Sequence, residues 1–139
     1  MPDAHNHASI LHTIGCFSGF SAVALGAFGA HALGKRLANG PDSATKLSNW
    51  RTAAAYHLIH TLAILYVAGR LDRQPGVGTA GVQRSSLPGY LFGLGNLLFS
   101  GSIYLLVLDT RRAYSRILGP TTPLGGLAYL AGWATLYWS

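Results

Sequence analysis

The segment Trp50-Arg51-Thr52-Ala53-Ala54-Ala55-Tyr56-His57-Leu58-Ile59-His60 sets two imidazoles three residues apart. At that spacing they share one face of a helix. A third imidazole, His31, closes Gly26-Ala27-Phe28-Gly29-Ala30-His31, just ahead of Lys35-Arg36. If one helix ends near residue 32 and the next begins near residue 52, all three histidines come to similar depth near one membrane surface. Three imidazoles suffice for zinc with an open position. Two on separate helices can hold a haem iron axially, and a polar row can pass protons. The same side chains can instead hydrogen-bond across helices and fix their register. That last reading is adopted here, with no cofactor and no metal, and a metal, haem or proton site on His31, His57 and His60 is the alternative. No carboxylate lies within these spans to brace a ligating imidazole, although Asp109 opens a loop on the same side.

Other reactive patterns are missing from the sequence. There are four acidic residues, all Asp, so no paired-carboxylate acid/base arrangement exists. Leu98-Phe99-Ser100-Gly101-Ser102 has no nucleophile-elbow pattern, and the glycines form no phosphate or dinucleotide loop. The single cysteine, Cys16, cannot form an intramolecular disulfide and reads as a small packing residue. The expectation is a protein that is not an enzyme.

The elements that must position these histidines follow from hydropathy. Half of the 139 residues are hydrophobic and 10% are charged, too few charges for a water-facing surface. Four apolar segments, 9–32, 52–70, 88–108 and 121–138, each approach the ~20 residues that cross a bilayer as a helix. The intervening stretches hold nearly all the charge. They carry turn signals at Asn39-Gly40-Pro41-Asp42 and at Gly119-Pro120, and residues 71–87 read as an irregular loop. The expected architecture is an all-α, integral membrane four-helix bundle forming one domain over residues 1–139. The opening segment holds no base before its apolar run, unlike a secretory signal, so the first helix is expected to be retained.

Basic residues orient this bundle. Lys35, Arg36, Lys46, Arg51, Arg111, Arg112 and Arg116 fall in the first and third loops, whereas Arg70, Arg73 and Arg84 fall opposite. The positive-inside bias then puts both termini on the outer side, periplasm or intermembrane space, with Tyr137 and Trp138 in its aromatic belt. The bases are dispersed between apolar segments rather than gathered in a stripe, which argues against nucleic acid. Lys35, Arg36, Arg111, Arg112 and Arg116 instead suit lipid headgroups, cardiolipin among them.

Small residues mark the packing faces. Gly15, Gly19, Ala22, Gly26 and Ala30 form a stripe on the first helix. Gly89, Gly93 and Gly101 do so on the third, with Asn96 and Ser100 close by, and Gly125, Ala128 and Gly132 on the fourth. Such stripes let backbones approach closely. With His31, Tyr56, His57, His60, Asn96 and Ser100 as polar glue, they predict a tight bundle or a face for a partner helix.

The motifs Gly26–His31, Tyr56-His57-Leu58-Ile59-His60, Leu98–Tyr104 and Gly119-Pro120-Thr121-Thr122-Pro123-Leu124-Gly125-Gly126, with Gly132-Trp133, occur in order along the chain. Together they resemble the bacterial inner-membrane domain-of-unknown-function family 423, whose eukaryotic relatives are called transmembrane protein 256. The resemblance covers all four spans and implies a four-helix protein of bacterial or mitochondrial inner membranes with no established enzymatic activity. The matching positions are His31, Tyr56, His60, Ser100, Gly101, Pro123 and Gly125. The chain departs in its longer 71–87 loop, and has Arg51 and Ala55 where the family often shows an acidic and basic pair. The function expected is a structural or accessory subunit of a larger inner-membrane assembly such as a respiratory complex. Its expected partners are membrane lipid and other membrane subunits, with the mitochondrial inner membrane favoured and the bacterial inner membrane as alternative.

Overall fold

The computed structural model describes residues 3–38, 40, 42–73, 84–109 and 113–139, and among these there is no β-strand. Four helical rods account for nearly all of them. The first comprises α1 (Asp3–Phe28), a π-helical turn at Gly29–Leu33 and α2 (Gly34–Leu37). The second is α3 (Ser43–Asp72). The third comprises α4 (Leu87–Gly95), a π turn at Asn96–Gly101 and α5 (Ser102–Leu108), and the fourth is α6 (Ser115–Tyr137).

The helix α3 lies at the centre. Its residues Trp50, Ala53, His57, His60, Ile64, Val67 and Leu71 are all buried, at steps of three, four, three, four, three and four. That alternation is the seven-residue pattern of helices packed side by side. The first rod lies along α3, while α6 lies along α4 and the third rod's π turn. Between the first and third rods the packing is sparse. Both chain ends meet at one end of the bundle, the end at which α3 finishes. There Arg70 donates to the Ser139 carbonyl at 2.6 Å, and His5 Nδ1 stands 3.8 Å from Asp72 Oδ1.

Three helical stretches, His5–Leu37, Ser43–Asp72 and Leu87–Leu108, are long and apolar enough to cross a membrane. The fourth rod is long enough at 23 residues, roughly 34 Å, but is not among those three. Its glycines, prolines, threonines and aromatic residues dilute its hydropathy.

Several helix bounds differ from the hydropathy reading. α3 begins at Ser43 rather than near residue 52, because Lys46 and Arg51 are good helix formers and continue the helix beyond its apolar stretch. α6 likewise begins at Ser115, with Pro120 and Pro123 inside it rather than ahead of it. Each proline removes one i to i−4 hydrogen bond, to the carbonyls of Arg116 and Gly119, and both residues are exposed. The irregular loop expected at 71–87 falls largely on residues 74–83, outside the described ones.

Small residues permit the closest approaches. A Cβ on Gly125 would run into the backbone of Leu98 and Phe99, and one on Gly15 into Leu65. A Cβ on Gly89 would meet Leu11 Cδ1 at 2.6 Å, and one on Gly132 would meet Phe92 at 2.6 Å. Gly26 has nothing within 4 Å and Ala30 is exposed, so the stripe of the first rod serves α3 contacts only in its first half.

Candidate functional site

Phe92, Asn96, Ser100 and Tyr104 are spaced by four residues on the third rod, and all are buried. In a regular α-helix each step of four rotates the side chain by about 40°, so the series would drift off the interface. The π turn at Asn96–Gly101 widens the helix locally and keeps the later members facing inward. Asn96 becomes the hub of a polar network that joins all four rods. Its amide nitrogen donates to Ser18 Oγ at 3.1 Å and to Thr61 Oγ1 at 3.4 Å. Its amide oxygen accepts from the Tyr129 hydroxyl at 2.8 Å. Ser18 in turn lies 2.6 Å from Thr61 Oγ1 and 3.0 Å from His57 Nε2. Ser100 donates to the Ala53 carbonyl at 3.0 Å and lies 3.3 Å from the Tyr129 hydroxyl.

His60 occupies a second, fully satisfied arrangement. The Trp133 indole, which can only donate, gives its proton to His60 Nε2 at 3.1 Å. Nδ1 therefore carries the imidazole proton and donates it to the Tyr56 carbonyl at 2.8 Å. The ring lies against Tyr129, with centroids 3.5 Å apart and planes 14° from parallel. With both nitrogens engaged, His60 can accept a metal only by giving up one of these bonds.

His57 differs. Its Nε2 faces Ser18, but its Nδ1 has no partner and is buried. A helical histidine can reach the carbonyl four residues back, as His60 does with Tyr56. For His57 that carbonyl is Ala53, which Ser100 already occupies. The Tyr104 hydroxyl is likewise buried without a partner, and the two rings lie 6.1 Å apart.

Two expectations are corrected by these positions. His57 and His60 do not lie near the start of their helix: counted from Ser43 they stand roughly 21 and 26 Å along a helix roughly 45 Å long. Nor does His31 join them. It is exposed in the first rod's π turn, and the described residues hold no group of three His, Cys, Asp or Glu side chains able to share a metal. Tyr56 is 43% exposed and stacks near Phe99 and Tyr129, and Gly101 lines a groove beside the network. Lys35, Arg36 and Arg116 are exposed, whereas Arg111 and Arg112 lie outside the described residues.

Sequence reasoning missed Ser18, Thr61, Tyr104, Tyr129 and Trp133. Thr61 carried a signal, since it follows His57 by four and so shares its face. The serine and the aromatic residues carried none until their neighbours were known. Trp50, whose indole donates to the Leu25 carbonyl at 2.9 Å and packs against Gly29, was also unmarked.

Residues 25–126 match the family described as "Protein of unknown function (DUF423)". The chain belongs to the DUF423 family. This DUF423 chain is 39% identical over 124 residues to the UPF0382 membrane protein C1782.12c of Schizosaccharomyces pombe, covering 88% of the chain and 94% of that protein. It is 38% identical over 120 residues to the UPF0382 membrane protein YwdK of Bacillus subtilis, covering 86% of each. The UPF0382 inner membrane protein YgdD of Escherichia coli K12 is 40% identical over 119 residues, covering 86% of the chain and 79% of that protein. No solved structure matches the chain. The DUF423 chain is thus an integral membrane protein, all-helical among its described residues, in a family of unknown function.

Proposed function

We propose that this chain is a non-catalytic accessory subunit of a larger assembly in an inner membrane, mitochondrial or bacterial, for which a respiratory complex is the leading case. The observation that carries this reading is the exposure of the first rod. Only 17% of its most apolar stretch is buried in the bundle, against 44% and 39% for the second and third rods. Phe17, Phe20 and Val23 point outward from it, which leaves a continuous apolar face for a partner helix. The interior polar groups support the same reading, because nearly all of them are spent on bonds between the rods. Exposed Lys35, Arg36 and Arg116 support contact with anionic lipid such as cardiolipin.

A metal or haem site draws no support from an exposed His31 and a doubly bonded His60. A proton path draws little, since the network lies at mid-height in every rod and so runs across the bundle rather than along it.

Extraction in a mild detergent, followed by native electrophoresis and mass spectrometry, tests the proposal. The expected result is co-migration with larger membrane proteins, weakened by Phe17→Ala with Phe20→Ala. Migration only as a small free species, at native expression level and in several mild detergents, refutes it.

A further inference from the structure

Between the first and third rods runs a groove of about 700 Å³, open at the side of the bundle. Its walls are mainly apolar, among them Ile14, Phe17, Leu94 and Leu97, and His57 and Tyr104 line it on the inner side. These two side chains are 8% and 6% exposed, and they carry the only unpartnered buried side-chain atoms among the described residues. The proton arrangement around Ser18 determines what His57 offers. If Thr61 donates to Ser18 and Ser18 donates to His57 Nε2, every hydroxyl proton in the cluster finds an acceptor. The reverse order strands the buried Thr61 proton as well. The first arrangement leaves His57 Nδ1 as an N–H donor, beside the Tyr104 O–H.

We propose that this groove binds a lipid-soluble quinone, one ring carbonyl accepting hydrogen bonds from His57 Nδ1 and Tyr104. Two donors left unpaired in hydrocarbon call for an acceptor oxygen that is itself soluble there. Their depth selects among candidates. His57 lies roughly 8 Å inside the apolar stretch that begins near residue 52, beneath the level of phospholipid headgroups and their esters, whereas a neutral ring on a hydrocarbon tail reaches it directly. The volume falls within the range of small-molecule sites, and Phe17, Tyr90 and Tyr104 line the groove with aromatic surface for a flat ring. The two donor atoms are covered by their neighbours, so seating the ring moves apolar wall side chains aside. Only binding is proposed, with no electron transfer. This inference is independent of the accessory-subunit reading.

The test is titration of the purified protein in nanodiscs with decyl-ubiquinone, followed through tryptophan fluorescence, to which Trp50 contributes from 4.5 Å beside the Tyr104 ring. Saturable binding near one per chain is expected. Tyr104→Phe, which removes only the hydroxyl, weakens it about 5- to 10-fold, in line with one lost hydrogen bond. Gly93→Leu fills the groove, where an added Cβ meets only Ile14 Cγ2 at 3.9 Å, and abolishes binding. Decylbenzene, which has no carbonyl, does not compete. Non-saturable quenching, equal quenching in the wild type and Gly93→Leu, or full competition by decylbenzene overturns the proposal. The decylbenzene comparison uses the wild-type protein alone, so it decides the matter even if a variant fails to fold.

Discussion

Tyr129 shows how much a single hydroxyl holds together. It donates to Asn96, touches Ser100 and supports the ring of His60, so one side chain of the fourth rod reaches groups on the second and third. Hydrogen bonds between membrane helices contribute about 0.6 kcal/mol on average, and up to about 1.7 kcal/mol. Tyr129→Phe keeps the stacking and loses the hydroxyl, and should destabilise the protein by about 1 kcal/mol, read as a lower melting temperature in detergent. Asn96→Leu should cost more, about 2–3 kcal/mol, because it strips Ser18, Thr61 and Tyr129 of a partner at once. His60→Phe should fall between these. It retains the stack but leaves the Trp133 indole proton and the Tyr56 carbonyl without their bonds.

At the scale of the element, the decisive contacts are made by residues with little or no side chain. Gly125 lets α6 sit on the backbone of the π turn at Phe99, so Gly125→Leu should prevent the fourth rod from docking. Gly26→Ala, with open space around it, should leave stability unchanged or raise it by up to about 1 kcal/mol through helix propensity. Thermal melts of the two variants side by side check this contrast. The rods themselves could be read from the sequence, because lipid demands runs of apolar residues that charged loops interrupt. The start of α3 could not, since a helix that extends past the hydrocarbon leaves no hydropathy signal. That one displaced boundary moved His57 and His60 from near the start of the helix to its middle. The π turns were also illegible, as no residue type encodes them. The Asn96 and Ser100 pair was recognised as polar glue, but its partners on other rods depend on rotations that one sequence does not state.

For the molecule as a whole, the two ends of the chain lie together at one end of the bundle. Reporter domains fused to either terminus should therefore register the same side of the membrane. The excess of bases in the first and third loops gives the expectation, which the same fusions test, that this side is the outer one. Opposite responses from the two fusions would mean that one rod fails to cross, and α6 is the one whose hydropathy makes this conceivable. Burial is also uneven across the molecule. The second rod is enclosed by the others, while the first leans on it alone for most of its length and leaves a lateral opening toward α4.

The π turn of the third rod can also be regarded as a register device: an α-helix holding one residue more than its hydrogen bonds call for. Deleting Leu97, which is 74% exposed and bonds to nothing described, would let this stretch relax into regular α-helix. The later residues of the rod would keep their bearing, since Tyr104 would then lie only about 20° around a regular helix from Phe92. Ser100 would still face the Ala53 carbonyl and Tyr104 would still face His57. The shortened protein should show undiminished helicity by circular dichroism and a melting temperature close to that of the full chain, its local geometry regular and its interior still aligned.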